Sequence, residues 1–169
     1  MHTTDYLIAG SSHAALEAIN AIRMHDGDGS ITVVTRDPHR PYSPTVLPYV
    51  VSGRSTPERV FLRDDDFFTA NKVDYRSGCA LAGLDPAAHQ ARLADGSTIG
   101  YRKLLLATGA SPIVPPIPGI ERVDYHVLRT LDDATRLRAA MAASKNAVVL
   151  GAGLVGMHAA ENLVKAGAS

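Results

Sequence analysis

The chain has 169 residues, enough for one domain or for one domain and part of another. Its 17 Lys plus Arg balance 17 Asp plus Glu, so charge gives no reason to expect nucleic acid or an anionic membrane as a partner. Hydrophobic residues make up 46 % and charged residues 20 %, a soluble globular balance, and the lone Cys79 excludes an intrachain disulfide. The start, Met1 to Asp5, lacks the basic region of a signal peptide, and the most apolar stretch, 147–155, is too short to span a bilayer; the expectation is a cytoplasmic protein.

The first predicted element is a buried parallel strand, Tyr6-Leu7-Ile8-Ala9, ending at Gly10. A helix follows over 14–23, with Ala15, Ala18, Ile19 and Ile22 at helical spacing and Ser11 or Ser12 as its side-chain cap. Asp26-Gly27-Asp28-Gly29 ends it, and the β-branched run Ile31 to Thr35 is the second strand of a βαβ unit. Prolines 38, 41, 44 and 48 predict an extended or turned segment rather than a helical one. A short helical region is expected over 57–68, with Asp64-Asp65-Asp66 as a solvated surface.

From Val73 short strands are expected at 73–75, 79–84 and 90–93, with Asp95-Gly96 as a hairpin turn. Cys79 is expected to be a small buried apolar residue. Residues 103–107 predict a strand buried on both faces, and the prolines at 112, 115, 116 and 118 predict a linker. Thr130 and Asp133 form a capping box in its Asp form, opening a helix to about Ala143. Residues 147–150 predict another buried strand, followed by a helix through Lys165 with Gly167 just past its end.

The strongest local signal is Gly151-Ala152-Gly153-Leu154-Val155-Gly156 between that strand and helix. In such a motif the first glycine permits the turn, the second lets a pyrophosphate approach and the third lets helix and strand pack closely. The helix start then offers free N–H groups and partial positive charge to phosphates. Gly10-Ser11-Ser12-His13-Ala14-Ala15 has the same setting, but Ser12 and Ala15 replace the later glycines. The Ser12 hydroxyl could bond a phosphate or cap the helix, and His13 could meet a phosphate, though a His there is more often a first-turn surface residue. Thr35, followed by Arg36, stands where an acid usually meets the ribose. Ala107-Thr108-Gly109 is a third piece, small residues at a strand end where a cofactor could pass close.

Taken together, the first bend, the LLLATGASPIVPPIPG segment (104–119) and VVLGAGLVGMHAAE (148–161) resemble the flavoproteins with two dinucleotide-binding domains. These include glutathione-reductase-like enzymes, ferredoxin reductases, NADH oxidases and nitrite reductase flavin domains. The resemblance implies an α/β fold: a Rossmann-type FAD-binding domain with a β-meander insert over 1–113, a Pro-rich linker over 114–128, and the incomplete start of an NAD(P)-binding domain over 129–169. It implies FAD held by Gly10, Ser11, Ser12, His13, Ala14, Thr35, Arg36, Ala80, Ala107, Thr108 and Gly109, with Thr45, Val46 and Arg129 near the flavin. NAD or NADP would be held by Gly151, Gly153, Leu154, Val155 and Gly156, with Glu161 matching an acid of the family.

The paired redox cysteines of some members are absent, and Thr45 stands where others carry a single Cys. The resemblance therefore implies electron transfer between NAD(P)H and a protein acceptor, such as ferredoxin or an iron–sulfur subunit, without a redox disulfide. Residues 41–53 look most like flavoprotein subunits of multi-subunit 2-oxoacid oxidoreductases of the phenylglyoxylate dehydrogenase type. A homo-oligomer is left open. On this reading the 169 residues alone would be inactive and would hold FAD weakly. The alternative is a cofactor-free scaffold subunit, favoured by the degenerate first motif.

Overall fold

The computed structural model describes residues 2–169. Two compact units emerge: residues up to Tyr42 with Phe61–Gly109, and Ser43–Val60 with Ala110–Ser169.

The first unit is a six-stranded sheet in the order β3-β2-β1-β6-β5-β4. Its strands are β1 (His2–Ala9), β2 (Ile31–Val34), β3 (Val73–Arg76), β4 (Leu81–Asp85), β5 (Gln90–Leu93) and β6 (Thr98–Leu106). β3, β2, β1 and β6 run parallel, whereas β4, β5 and β6 form an antiparallel meander. The helix α1 (His13–His25) connects β1 to β2. Alternation along β1 divides the core. Ile8 packs with Ala15, Leu16 and Ile19 of α1 and with Phe68, while Leu7 and Ala9 gather with Val34, Ala91, Leu93 and Ile99.

The α/β fold is thus as expected, with four departures in this unit. β1 begins at His2 rather than Tyr6, because its polar start pairs with Ile99–Tyr101. The expected helical run over 57–68 is broken: in this unit Phe61 bridges Tyr42, and only α3 (Asp66–Ala70) is α-helical. Asp64, Asp65 and Asp66 are exposed as expected. The end of β6 is not buried on both faces; Leu105 is 39 % and Leu106 56 % exposed, since nothing in this unit covers that side. Cys79 is half-buried beside the second cluster, and burial pushes its thiol pKa up.

In the second unit the proline-rich segment turns helical, contrary to expectation. Pro44–Val46 is a 3-10 turn running into α2 (Leu47–Val51). Pro44 and Pro48 occupy the opening positions of these turns, where a missing N–H costs no helical bond. Pro57–Arg59 forms another 3-10 turn. α4 (Leu131–Ala143) opens with the expected capping box: Asp133 N–H donates to Thr130 Oγ1 at 3.1 Å, and Thr130 N–H donates to Asp133 Oδ2 at 2.9 Å. α5 (Leu154–Lys165) ends in a Schellman motif, with Ala168 N–H on the Leu163 carbonyl and Gly167 N–H on the Val164 carbonyl. The strand expected at 147–150 does not form. These residues have no ladder partner, and Val148 is 97 % exposed.

Candidate functional site

Two strand-to-helix or loop-to-helix bends carry the predicted cofactor residues, and they are conformational copies. Gly10 has φ +116° and Gly151 has φ +114°, values reserved for glycine. Three residues later each helix begins, at His13 and at Leu154. The residue before each helix start is extended: Ser12 at φ −88°, ψ −161° and Gly153 at φ −74°, ψ 176°. Neither helix has a side-chain cap, and the first intrahelical bonds come from Leu16 N–H to the Ser12 carbonyl and Met157 N–H to the Gly153 carbonyl. The N–H groups of Ala14 and Ala15 in the first helix, and those of the first turn of the second, are therefore left for an external acceptor.

The glycines differ in why they are needed. A Cβ on Gly10 would lie 2.1 Å from the Ala107 carbonyl oxygen, so the end of β6 presses on the first bend. This places Ala107, Thr108 and Gly109 beside Gly10, joined by the bond from Ala107 N–H to the Ala9 carbonyl at 2.8 Å. A Cβ on Gly156 would lie 2.0 Å from the Gly151 carbonyl oxygen and 3.6 Å from Val149, which gives the third glycine its close packing. A Cβ on Gly153 would meet nothing within 4 Å, leaving open space above the second bend. Leu154 and Val155 are exposed on the first turn of α5.

The side chains of the first bend do something the sequence did not suggest. Ser12 neither caps α1 nor points a free hydroxyl outward; its Oγ donates to the Tyr42 carbonyl at 3.1 Å. Ser11 is buried. Burial holds the Tyr75 phenol above its ordinary pKa, and its ring stacks on Phe68 at 3.9 Å. Tyr42 was missed because nothing in its local sequence shows that it meets the bend. His13 and Ala14 are exposed on the first turn of α1. Thr35 is buried, and its hydroxyl accepts the Asp37 N–H at 3.2 Å, while Arg36 is exposed. Ala80 is half-buried and its carbonyl accepts the Ala94 N–H.

Residues 4–169 match the family model described as "Pyridine nucleotide-disulphide oxidoreductase". The chain belongs to this family. Over 166 residues it is 76 % identical to the NADH-dependent phenylglyoxylate dehydrogenase subunit epsilon of Aromatoleum evansii, a match covering 98 % of this chain and 39 % of that protein. Among solved structures, the ferredoxin reductase for the CYP199A2 system from Rhodopseudomonas palustris superposes with a TM-score of 0.88 at 30 % identity, over 99 % of this chain and 41 % of that one. A covalent putidaredoxin reductase–putidaredoxin complex gives 0.87 at 27 % identity, over 99 % and 41 %. The chain thus spans about two fifths of the length of these relatives.

The remaining positions singled out by resemblance to the pyridine nucleotide oxidoreductases lie in the second unit. Thr45 is exposed, its hydroxyl 2.7 Å from that of Ser43, and Val46 is half-buried at the start of α2. Arg129 donates from Nε to the Ala110 carbonyl at 2.9 Å, and from its N–H to Asp133 Oδ2. Burial would raise the Asp133 pKa, but the bonds from Thr130, Arg136 and Arg129 outweigh it and hold the carboxyl below its ordinary value. Glu161 is exposed and paired with Lys165, whose hydrogen bond and charge lower its pKa. α2 packs on α5 through Tyr49 and His158, whose rings meet edge-on at 5.5 Å.

Proposed function

We propose that this chain serves in an FAD-dependent oxidoreductase that passes electrons between NAD(P)H and a protein acceptor. The observation that carries the reading is the duplication of one bend at residues 10–13 and 151–154, each with its helix start uncapped. Such a start suits a diphosphate, which brings the negative charge and acceptor oxygens that the N–H groups lack. FAD and NAD(P)H would supply hydride transfer and single-electron transfer between them.

The protein's part is binding and placement. In the first unit, backbone from Gly10 to Ala14 would hold the flavin diphosphate, with Thr35, Arg36, Ala80 and Ala107–Gly109 around it. In the second unit, Gly151–Gly156 would hold the nicotinamide dinucleotide, and Thr45, Val46 and Arg129 would face the flavin. Gly10 fits this role because the space a side chain would fill is already taken by backbone, keeping the bend bare. The relatives favour an iron–sulfur acceptor, either a ferredoxin or a subunit of a 2-oxoacid oxidoreductase complex. Thr45 at the position of a redox Cys favours transfer without a protein disulfide. Residues 1–169 alone are expected to hold flavin weakly and not to turn over.

The test is reconstitution of the natural full-length protein with FAD. The expected result is a flavin spectrum that NADH or NADPH bleaches under anaerobic conditions and that an iron–sulfur protein restores. A protein that stays colourless with FAD and oxidises no NADH with an artificial acceptor would instead be a scaffold subunit. Stoichiometric flavin on the 169-residue chain would overturn the expectation of weak binding.

A further inference from the structure

α2 is five residues long, too short to hold a direction of its own, so its course is set by what it packs on. Within the second unit it packs on α4 and on α5. Its contact with α4 includes Arg138, whose Nη1 donates to the Val50 carbonyl at 3.3 Å. Its contact with α5 is aromatic. The half-buried rings of Tyr49 and His158 meet edge-on, with centroids 5.5 Å apart and planes at 77°. Rings in contact favour particular mutual angles, so such a contact fixes orientation as well as distance. The Arg54 guanidinium lies over the Tyr49 ring, 5.1 Å from its centroid. Glu161 stands one turn beyond His158 on α5, and its carboxyl, held below its ordinary pKa first by Lys165, is lowered further by His158 and Arg54.

Helical spacing gives the pair its place. Val46 stands at the opening of α2, and Tyr49 follows three residues later, one turn on along the same side. Leu154 opens α5, and His158 follows four residues later, again one turn on along the same side. Val46 is among the residues assigned above to the flavin, and Leu154 among those assigned to the nicotinamide dinucleotide. The two rings therefore touch one turn beyond each, and join the helix of the one to the helix of the other.

We propose that Tyr49 and His158 are a positioning pair that holds α2 against α5 and so sets the rate of hydride transfer between nicotinamide and flavin, without contributing to the binding of either. The inference rests on the proposed function. It goes beyond that reading in assigning a role to two residues that neither bend contains. In the step concerned a C–H bond of the reduced nicotinamide breaks and its electron pair passes with the proton to the flavin, so that the nicotinamide is oxidised and the flavin reduced. Neither the phenol nor the imidazole gives or takes a proton. A misplacement of about 1 Å between reacting atoms costs up to about 100-fold in rate, which is the lever the pair would act on.

The experiment uses the natural full-length protein loaded with FAD. The rate of anaerobic flavin bleaching at saturating NADH is measured by stopped flow, the Kd for NAD+ and for FAD by calorimetry, and melting of the apoprotein in parallel. Tyr49→Ala and His158→Ala should each slow bleaching about 10- to 100-fold. Both Kd values should stay within about 3-fold of wild type, a change smaller than one net hydrogen bond. The double variant should be no slower than the slower single one, because either substitution removes the whole contact. Tyr49→Phe and His158→Phe keep an aromatic edge and should bleach within about 2-fold of wild type; they report on the contact even where an alanine variant fails to fold. Alanine variants that melt lower but bleach within about 2-fold of wild type would make the contact purely structural and overturn the proposal. Phenylalanine variants as slow as the alanine ones, or an affinity for NAD+ that falls as far as the rate, would overturn it too. Wild-type protein that binds no FAD, or whose flavin NADH does not bleach, would remove the underlying reading before any variant is compared.

Discussion

Replacing Gly10 with alanine adds one methyl group at the most constrained point of the fold. The backbone there sits at φ +116°, where an L side chain is strained by about 1–2 kcal/mol. The new Cβ would also lie 2.1 Å from the Ala107 carbonyl oxygen and 2.6 Å from its carbon. Neither partner is free to yield, because Gly10 N–H is held by the Val34 carbonyl and Ala107 N–H by the Ala9 carbonyl, both at 2.8 Å. Overpacking of this kind costs roughly 1–3 kcal/mol, giving about 2–5 kcal/mol together. For a chain of this size that corresponds to a fall in melting temperature of roughly 5–15 °C. The assay is thermal melting followed by circular dichroism. Gly153→Ala is the control: it sits at φ −74° with nothing within 4 Å of a new Cβ. It should melt within about 2 °C of wild type. Equal melting temperatures for the two variants would refute the argument.

Other outcomes follow from single groups. The Asp133 pKa is depressed in the folded chain, so the stability it lends α4 is complete above its unfolded value of roughly 4 and is lost as pH falls through the lower folded value. Asp133→Asn should flatten this acid limb in denaturant titrations below about pH 4, and an unchanged limb would count against the capping box. Arg23 donates to the carbonyls of Asn71, Asp26 and Gly29 at 2.7–3.0 Å, joining the end of α1 to that of α3. Arg23→Met should cost about 2–4 kcal/mol in urea unfolding, whereas a loss under about 1 kcal/mol would show that water replaces the guanidinium. Asn162 is fully buried with its Oδ1 unpartnered among the described residues. Asn162→Leu should therefore be neutral or stabilising by up to about 1 kcal/mol, and a marked loss would reveal a partner for that oxygen.

What could be read from the sequence was whatever local chemistry dictates. The βαβ start, the Asp95-Gly96 turn, the capping box at Thr130 and the Schellman end at Gly167 all depend on residues within a few positions of one another. Both bends were visible for the same reason. The misreadings came from surroundings. Residues 103–107 and 147–150 have the composition of buried strands, but burial is set by what covers each face: Leu106 pairs with Ala9 yet stays 56 % exposed, and Val148 has no strand beside it among the described residues. Pro44 and Pro48 were read as excluding helix, although a proline is harmless in a first turn. The bond from Ser12 was invisible, since Tyr42 lies 30 residues away.

The register of β1 has a bearing on synthesis. Tyr6 pairs with Ile31 on one side but with Lys103 on the other, 97 positions later in the chain. At about 5–20 residues per second the ribosome needs roughly 5–20 s to deliver that second neighbour. During that interval one edge of the apolar run Leu7-Ile8-Ala9 stays open and able to pair with the wrong partner. Conditions that slow elongation between residues 34 and 98 would therefore lengthen the exposure, and chaperone demand for this chain should rise with them.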